Sequence, residues 1–151
     1  MRNNDVLRSL RWTLDASDAG MADLFALGGA AIDRATVAAY LRRDDEDGFL
    51  ICPDTEAAAF LSGLIVRKRG PSDKKSPAAG RLTNNLVLKL LRIAWQLRDE
   101  DVAAILKLGG FPLSMPEINA LFRAEGHTNY RPCGDQVLRN FLRGLTLRVR
   151  P

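Results

Sequence analysis

With 151 residues, 46% hydrophobic and 26% charged, the chain can bury a core as one compact domain or two small ones without cross-links or metals. No apolar run reaches the length that spans a bilayer, and the opening "MRNNDVLRSLRW" lacks the apolar stretch of a signal peptide, so a soluble cytoplasmic protein with no membrane partner is expected. The formal net charge of +4 hides an asymmetry. Residues 1–66 hold six basic against eleven acidic residues, residues 67–83 six against one, and residues 84–151 ten against six, so different parts of the chain present different fields to a partner.

The segment "NNDVLRSLR" from Asn3 returns as "NNLVLKLLR" from Asn84, and the offset of 81 residues holds without a gap to the end of the chain. Matching pairs include Asn4 and Asn85, Arg11 and Arg92, Asp18 and Asp99, the two "LGG" runs, Cys52 and Cys133, Asp54 and Asp135, and Gly63 and Gly144. About twenty identities over some sixty-five ungapped positions mark an internal duplication. The expected organisation is a helical repeat over 1–67, a basic linker over 68–82 and a second helical repeat over 83–151. The linker, "KRGPSDKKSPAAGRL", has the composition of a solvated tether, and its lysines and arginines could also touch phosphate.

Each copy reads as four helices, and no stretch alternates with strand period, so the fold class is all-α, a tandem duplication of a four-helix unit. In the first helix Val6, Leu7, Leu10 and Leu14 share a face, with Asn3 or Asn4 able to cap its start. Its twin is apolar nearly all round, which predicts that the two first helices pack centrally and join the repeats about a pseudo-twofold axis. The second helix starts near Asp18 or Asp99 and ends at a Gly-Gly pair suited to a left-handed turn. Asp33 opens the third helix of the first copy, and Ser114 with Glu117 forms a capping box in the second. Asp54 and Asp135 are expected as caps of the fourth.

Features kept in both copies belong to the shared scaffold, whereas polar features of one copy are freer to serve function. Cys133, Asp135, Phe141 and Gly144 fall on the scaffold side. Gly144, inside a helix, points to a close helix crossing. Arg11 with Asp18, and Arg92 with Asp99, read as ion pairs joining consecutive helices, and Arg42 and Arg123 complement the ends of the third helices. Neither cysteine has a second Cys or a His at zinc-knuckle spacing, so no metal site is expected. A Cys133–His127 nucleophile is disfavoured because Cys52 occupies the same position without a histidine.

Particular to the second copy are Arg131, Gln136, Arg139, Asn140 and Arg143, which replace Leu50, Thr55, Ala58, Ala59 and Ser62. Gln136, Arg139, Arg143 and Arg150 form a basic stripe opposite the apolar face of the last helix; a simply solvated face is the plainer alternative. The preceding "HTNYRP" adds His127, Asn129 and Tyr130, which suit phosphate or base contacts, where the first copy is acidic. The second and third helices of each copy also resemble a helix-turn-helix, but the segment from Leu27 to Asp33 is longer than that motif's turn and "DDED" lies where phosphates would approach.

The doubled "NN-x-VL-x-x-LR", the twin "LGG" and the closing "GH-x-NYR-x-CGDQ-x-L-RNFL-RGL" resemble the YehS-type family of small bacterial proteins, built from two copies of a domain of unknown function. The resemblance implies a cytoplasmic bacterial protein with a duplicated domain and supplies no activity, cofactor or catalytic residue. The residues themselves point to a non-enzymatic module associated with DNA or RNA through His127, Asn129, Tyr130, Arg131, Gln136, Arg139, Asn140 and Arg143, without a cofactor. The alternative is a protein-interaction adaptor or a self-associating module. An enzyme ranks third, because the chain lacks a phosphate loop of recognised spacing and a carboxylate pair set apart from caps and ion pairs.

Overall fold

A computed structural model describes residues 1–71 and 81–151. Among the described residues the regular structure is entirely helical: α1 (Asn3–Leu14), α2 (Asp18–Leu27), α3 (Arg34–Leu41), α4 (Asp54–Arg69), α5 (Asn84–Ala94), α6 (Asp99–Leu108), α7 (Met115–Leu121) and α8 (Asp135–Val149). Each helix of the second set starts 81 residues after its counterpart. The chain divides into two compact units, Met1–Leu82 with the first four helices and Thr83–Pro151 with the last four. None of the described helices is long and apolar enough to cross a membrane.

Helix starts and stops follow local chemistry. Ser17 accepts from the Gly20 amide, and Asp33 from the Thr36 amide at 2.7 Å. Ser114 and Glu117 cap one another reciprocally. After α2 and α6 the second glycine of each pair turns left-handed, Gly29 at φ +95° and Gly110 at φ +91°, a conformation that costs glycine little because it has no Cβ. The connections 28–33 and 109–114 are therefore broad rather than tight helix-turn-helix turns.

Two cap expectations are corrected. Asn3 and Asn4 lie inside the first turn of α1, whose N-cap is Arg2, and in the second unit Thr83 caps α5 through its side chain. Asp54 and Asp135 are the first residues of α4 and α8, behind Pro53 and Gly134 as N-caps. Their carboxylates accept from asparagine side chains instead: Asn3 donates to Asp54 at 2.7 Å and Asn84 to Asp135 at 2.8 Å. An asparagine near the start of a sequence-level helix reads as a cap by propensity, but here tertiary partners claim its amide.

The expected close crossing is present in both units. A Cβ on Gly63 of α4 would lie 1.8 Å from the Leu24 carbonyl oxygen, and one on Gly28 would lie 1.6 Å from the Ala59 oxygen. In the second unit Gly144 meets the Ile105 oxygen and Gly109 the Asn140 oxygen, each at 1.9 Å. Paired glycines thus let α2 approach α4, and α6 approach α8, almost backbone to backbone. Around the first crossing Phe25 and Phe60 pack with ring centroids 5.2 Å apart, and the equivalent Leu106 and Phe141 are fully buried.

Arg11 Nη1 lies 3.0 Å from Asp18 Oδ1, an ion pair whose angle falls short of a hydrogen bond, whereas Arg92 donates to Asp99 at 2.7 Å. Both arginines also reach a carbonyl of the intervening turn, Ala16 and Leu97. Helix α4 continues to Arg69, beyond the expected start of the linker, and stops where Gly70 turns left-handed. Lys74 and Lys75, the heart of the basic linker, lie outside the described residues. At its far end the Leu82 amide donates to Asp54 Oδ2 at 3.0 Å.

Candidate functional site

The loop from the third to the fourth helix keeps the same backbone hydrogen bonds in both units, although its left-handed residue is Gly48 in the first and Gly126 in the second. In the first unit the Glu46 amide donates to the Arg43 carbonyl, Phe49 to Glu46 and Leu50 back to Ala39 of α3. In the second, His127 donates to Ala124, Tyr130 to His127 and Arg131 to Ala120. Asparagine side chains then fasten each loop to the first helix. Asn4, fully buried, donates to the Tyr40 and Leu50 carbonyls and accepts from the Cys52 amide. Asn85 does the same to Leu121, Arg131 and Cys133.

Different side chains ride on this shared frame. In the first unit Arg42 lies across the loop: it donates to the Asp47 carbonyl at 3.2 Å, and its Nη1 sits only 2.0 Å from where a Cβ on Gly48 would be. The second unit has Asn129 at the Gly48 position, and its left-handed residue is Gly126 instead, at φ +99°, so this end of the loop is built differently. A groove of about 560 Å³ opens there between α7 and the loop. Glu117 and Asn119 line it from the helix, and Thr128, Asn129, Tyr130 and Arg131 from the loop, with Arg123 between them. The groove carries a formal +1, two guanidiniums against one carboxylate. Glu117 is held below the usual glutamate range, first by the Ser114 amide and also by the charge of Arg131.

The predicted residues fall into two groups. Asn129, Tyr130 and Arg131 line the groove. The backbone of Arg131 is held at both ends, its amide by Ala120 and its carbonyl by Asn85, and its side chain is exposed. Gln136, Arg139 and Arg143 instead lie exposed along α8, where Arg139 donates weakly to Gln136 at 3.4 Å. The groove lining does not include His127, whose Nδ1 accepts from the Asn129 amide. Asn140 is half-buried and donates to the Gln136 carbonyl, while its own carbonyl sits against Gly109. The Asn140 side chain is thus turned back onto its own helix, and the groove lining does not include it.

Sequence reasoning missed Asn119 and Arg123. Asn119 replaces Ala38, so the comparison between copies carried the signal. Arg123 was hidden because it recurs as Arg42 in the first copy.

The thiols sit behind the frame. Burial, reinforced by Glu56 and Asp54, pushes Cys52 up to about 12, and burial with Asp135 pushes Cys133 up to about 11. Such thiols are protonated at neutral pH and are poor nucleophiles. Among the described residues no three His, Cys, Asp or Glu side chains cluster as a metal site would require.

A family model described as a protein of unknown function, DUF1456, matches residues 3–70 and again residues 84–150. Over 151 residues the chain is 48% identical to the uncharacterized protein YehS of Escherichia coli (strain K12), with 98% of this chain and 96% of that one covered. No solved structure matches the chain. The chain therefore belongs to the DUF1456 family and carries the family's domain twice, once in each repeat.

Proposed function

We propose that this chain is a non-enzymatic, cytoplasmic nucleic-acid-associated module that works through its second repeat. One observation carries the reading: the same hydrogen-bonded loop frame supports Asp47, Phe49 and Leu50 in the first repeat but Thr128, Tyr130 and Arg131 in the second, the repeat whose α8 also exposes Arg139 and Arg143. Guanidiniums hold phosphates, and an aromatic ring with side-chain amides suits bases. Neither buried thiol is prepared for nucleophilic chemistry, and Asp54 and Asp135 are engaged by asparagines.

Fluorescence anisotropy with random-sequence DNA and RNA at several salt concentrations tests the reading. Binding should weaken as salt rises, and an Arg139→Glu, Arg143→Glu variant should lose affinity and reduce the logarithmic salt slope by about two. Negligible affinity at low salt would reject it. A protein partner is the second reading, favoured by the exposed Trp12, Leu50 and Ile51 of the first repeat, and specific co-purification lost on Ile51→Ser would support it.

A further inference from the structure

We infer that the groove between α7 and the 128–131 loop takes one internal nucleotide of an unpaired strand, its base against Tyr130 and its phosphodiester on Arg123 and Arg131. The inference rests on the nucleic-acid reading and sharpens it, because a duplex would present its bases already paired and stacked.

Three features of the groove agree. Its volume of about 560 Å³ exceeds what a lone phosphate fills and falls within the usual range for a small-molecule pocket. Its net formal charge of +1 matches the single negative charge of an internucleotide diester better than the roughly doubly charged terminal monophosphate. Tyr130 is half-buried at the groove and its backbone is held by His127, so a stacking ring would be presented with little left to order. Asn119 and Asn129 add amide groups able to donate and accept, which suits the edge of a base that has no pairing partner.

The first repeat supplies the contrast. There Phe49 and Leu50 stand for Tyr130 and Arg131, and Arg42 lies over Gly48. Had both loops been built alike, the groove would read as a by-product of the fold. The groove belongs to the copy whose last helix is basic, so one repeat carries both a local base-binding site and a general phosphate-binding face. Arg139 and Arg143 are then common to strand and duplex, and the groove is specific to the strand.

The test uses the full chain and an end-labelled dodecamer, as single-stranded DNA, single-stranded RNA and the matching DNA duplex, at low salt. Tyr130→Ala and Arg123→Gln, each verified as folded by its thermal transition, should weaken strand binding about tenfold or more beyond any loss of duplex binding. The DNA and RNA arms decide which sugar the strand carries. Unchanged strand affinity in both folded variants, or an equal loss for strand and duplex, would overturn the inference. If the native chain bound no probe at low salt, the nucleic-acid reading would fall and the inference with it. Binding abolished by Arg139→Glu, Arg143→Glu but indifferent to both groove variants would keep that reading and overturn the groove alone.

Discussion

The side-chain amide of Asn85 donates to the carbonyl of Arg131 at 3.0 Å, so the backbone of a groove-lining arginine is held by the first turn of α5, some forty-six positions earlier. Asn4 bears the same relation to Leu50 at 2.7 Å. Each asparagine uses two N–H donors and its carbonyl acceptor at once. Among the common side chains of this size only a primary amide supplies all three from one planar group.

Replacing Asn4 by alanine should therefore strand the Tyr40 and Leu50 carbonyls and the Cys52 amide, costing about 2–4 kcal/mol. Aspartate should be no better, because it keeps the acceptor and loses both donors. Asn85→Ala should cost less, since Asn85 is only partly buried and water can replace some of its bonds. Urea denaturation reads each as a lower midpoint at constant slope. A midpoint for Asn4→Ala equal to that of the native chain would show that the clamp adds nothing.

Glycine positions separate into those that need glycine and those that do not. Gly63→Ala and Gly144→Ala drive a methyl group into a carbonyl oxygen less than 2 Å away, and the helices must part at a cost of about 3 kcal/mol. Gly20 lies in the first turn of α2, where a Cβ would meet nothing nearer than 3.5 Å. Gly20→Ala should stabilise by about 0.5–1 kcal/mol through helix propensity. Thermal melting should show opposite signs; a tolerated Gly144→Ala would mean that α6 and α8 adjust freely.

Internal repetition explains why so much of the fold was legible. The offset located all eight helices, the Gly63 and Gly144 crossings and the Arg92–Asp99 pair, since each is written twice in the same register. What escaped reading was long-range. Nothing local distinguishes an asparagine that caps its own helix from one that reaches a carbonyl thirty-six residues away, as Asn4 reaches Tyr40. The groove was half legible for a similar reason: Tyr130 and Arg131 differ from their twins, whereas Arg123 matches its twin, Arg42, and so gave no contrast between the copies.

Asp54 gives the fold an acid dependence with a definite sign. Its carboxylate is held below the usual aspartate value of 3.8, first by the Asn3 side chain, then by the Leu82 amide and the charge of Arg81. The folded state therefore binds fewer protons than the unfolded one at acid pH. The contribution of Asp54 is complete above its unfolded value and disappears as pH falls through the folded one. Asp54→Asn should lower the melting temperature at neutral pH and flatten its decline below about pH 4. Parallel curves for the native chain and the variant would show that the carboxylate's charge is irrelevant to the clasp.

The cysteines give the sharpest division between scaffold and chemistry. With their thiols pushed up to about 12 and about 11, both should resist a disulfide reagent in the folded chain at about pH 8, where an ordinary exposed cysteine carries appreciable thiolate. Labelling should follow opening of the structure rather than reagent concentration, and denaturant should release each thiol as its own unit unfolds. Cys133, 6% exposed, should react before Cys52, 1% exposed. Rapid modification of Cys133 in the folded chain, first order in reagent, would instead mark a prepared nucleophile. His127 would then need to be reconsidered as its base rather than as a loop residue accepting from Asn129, and the non-enzymatic reading would have to be given up.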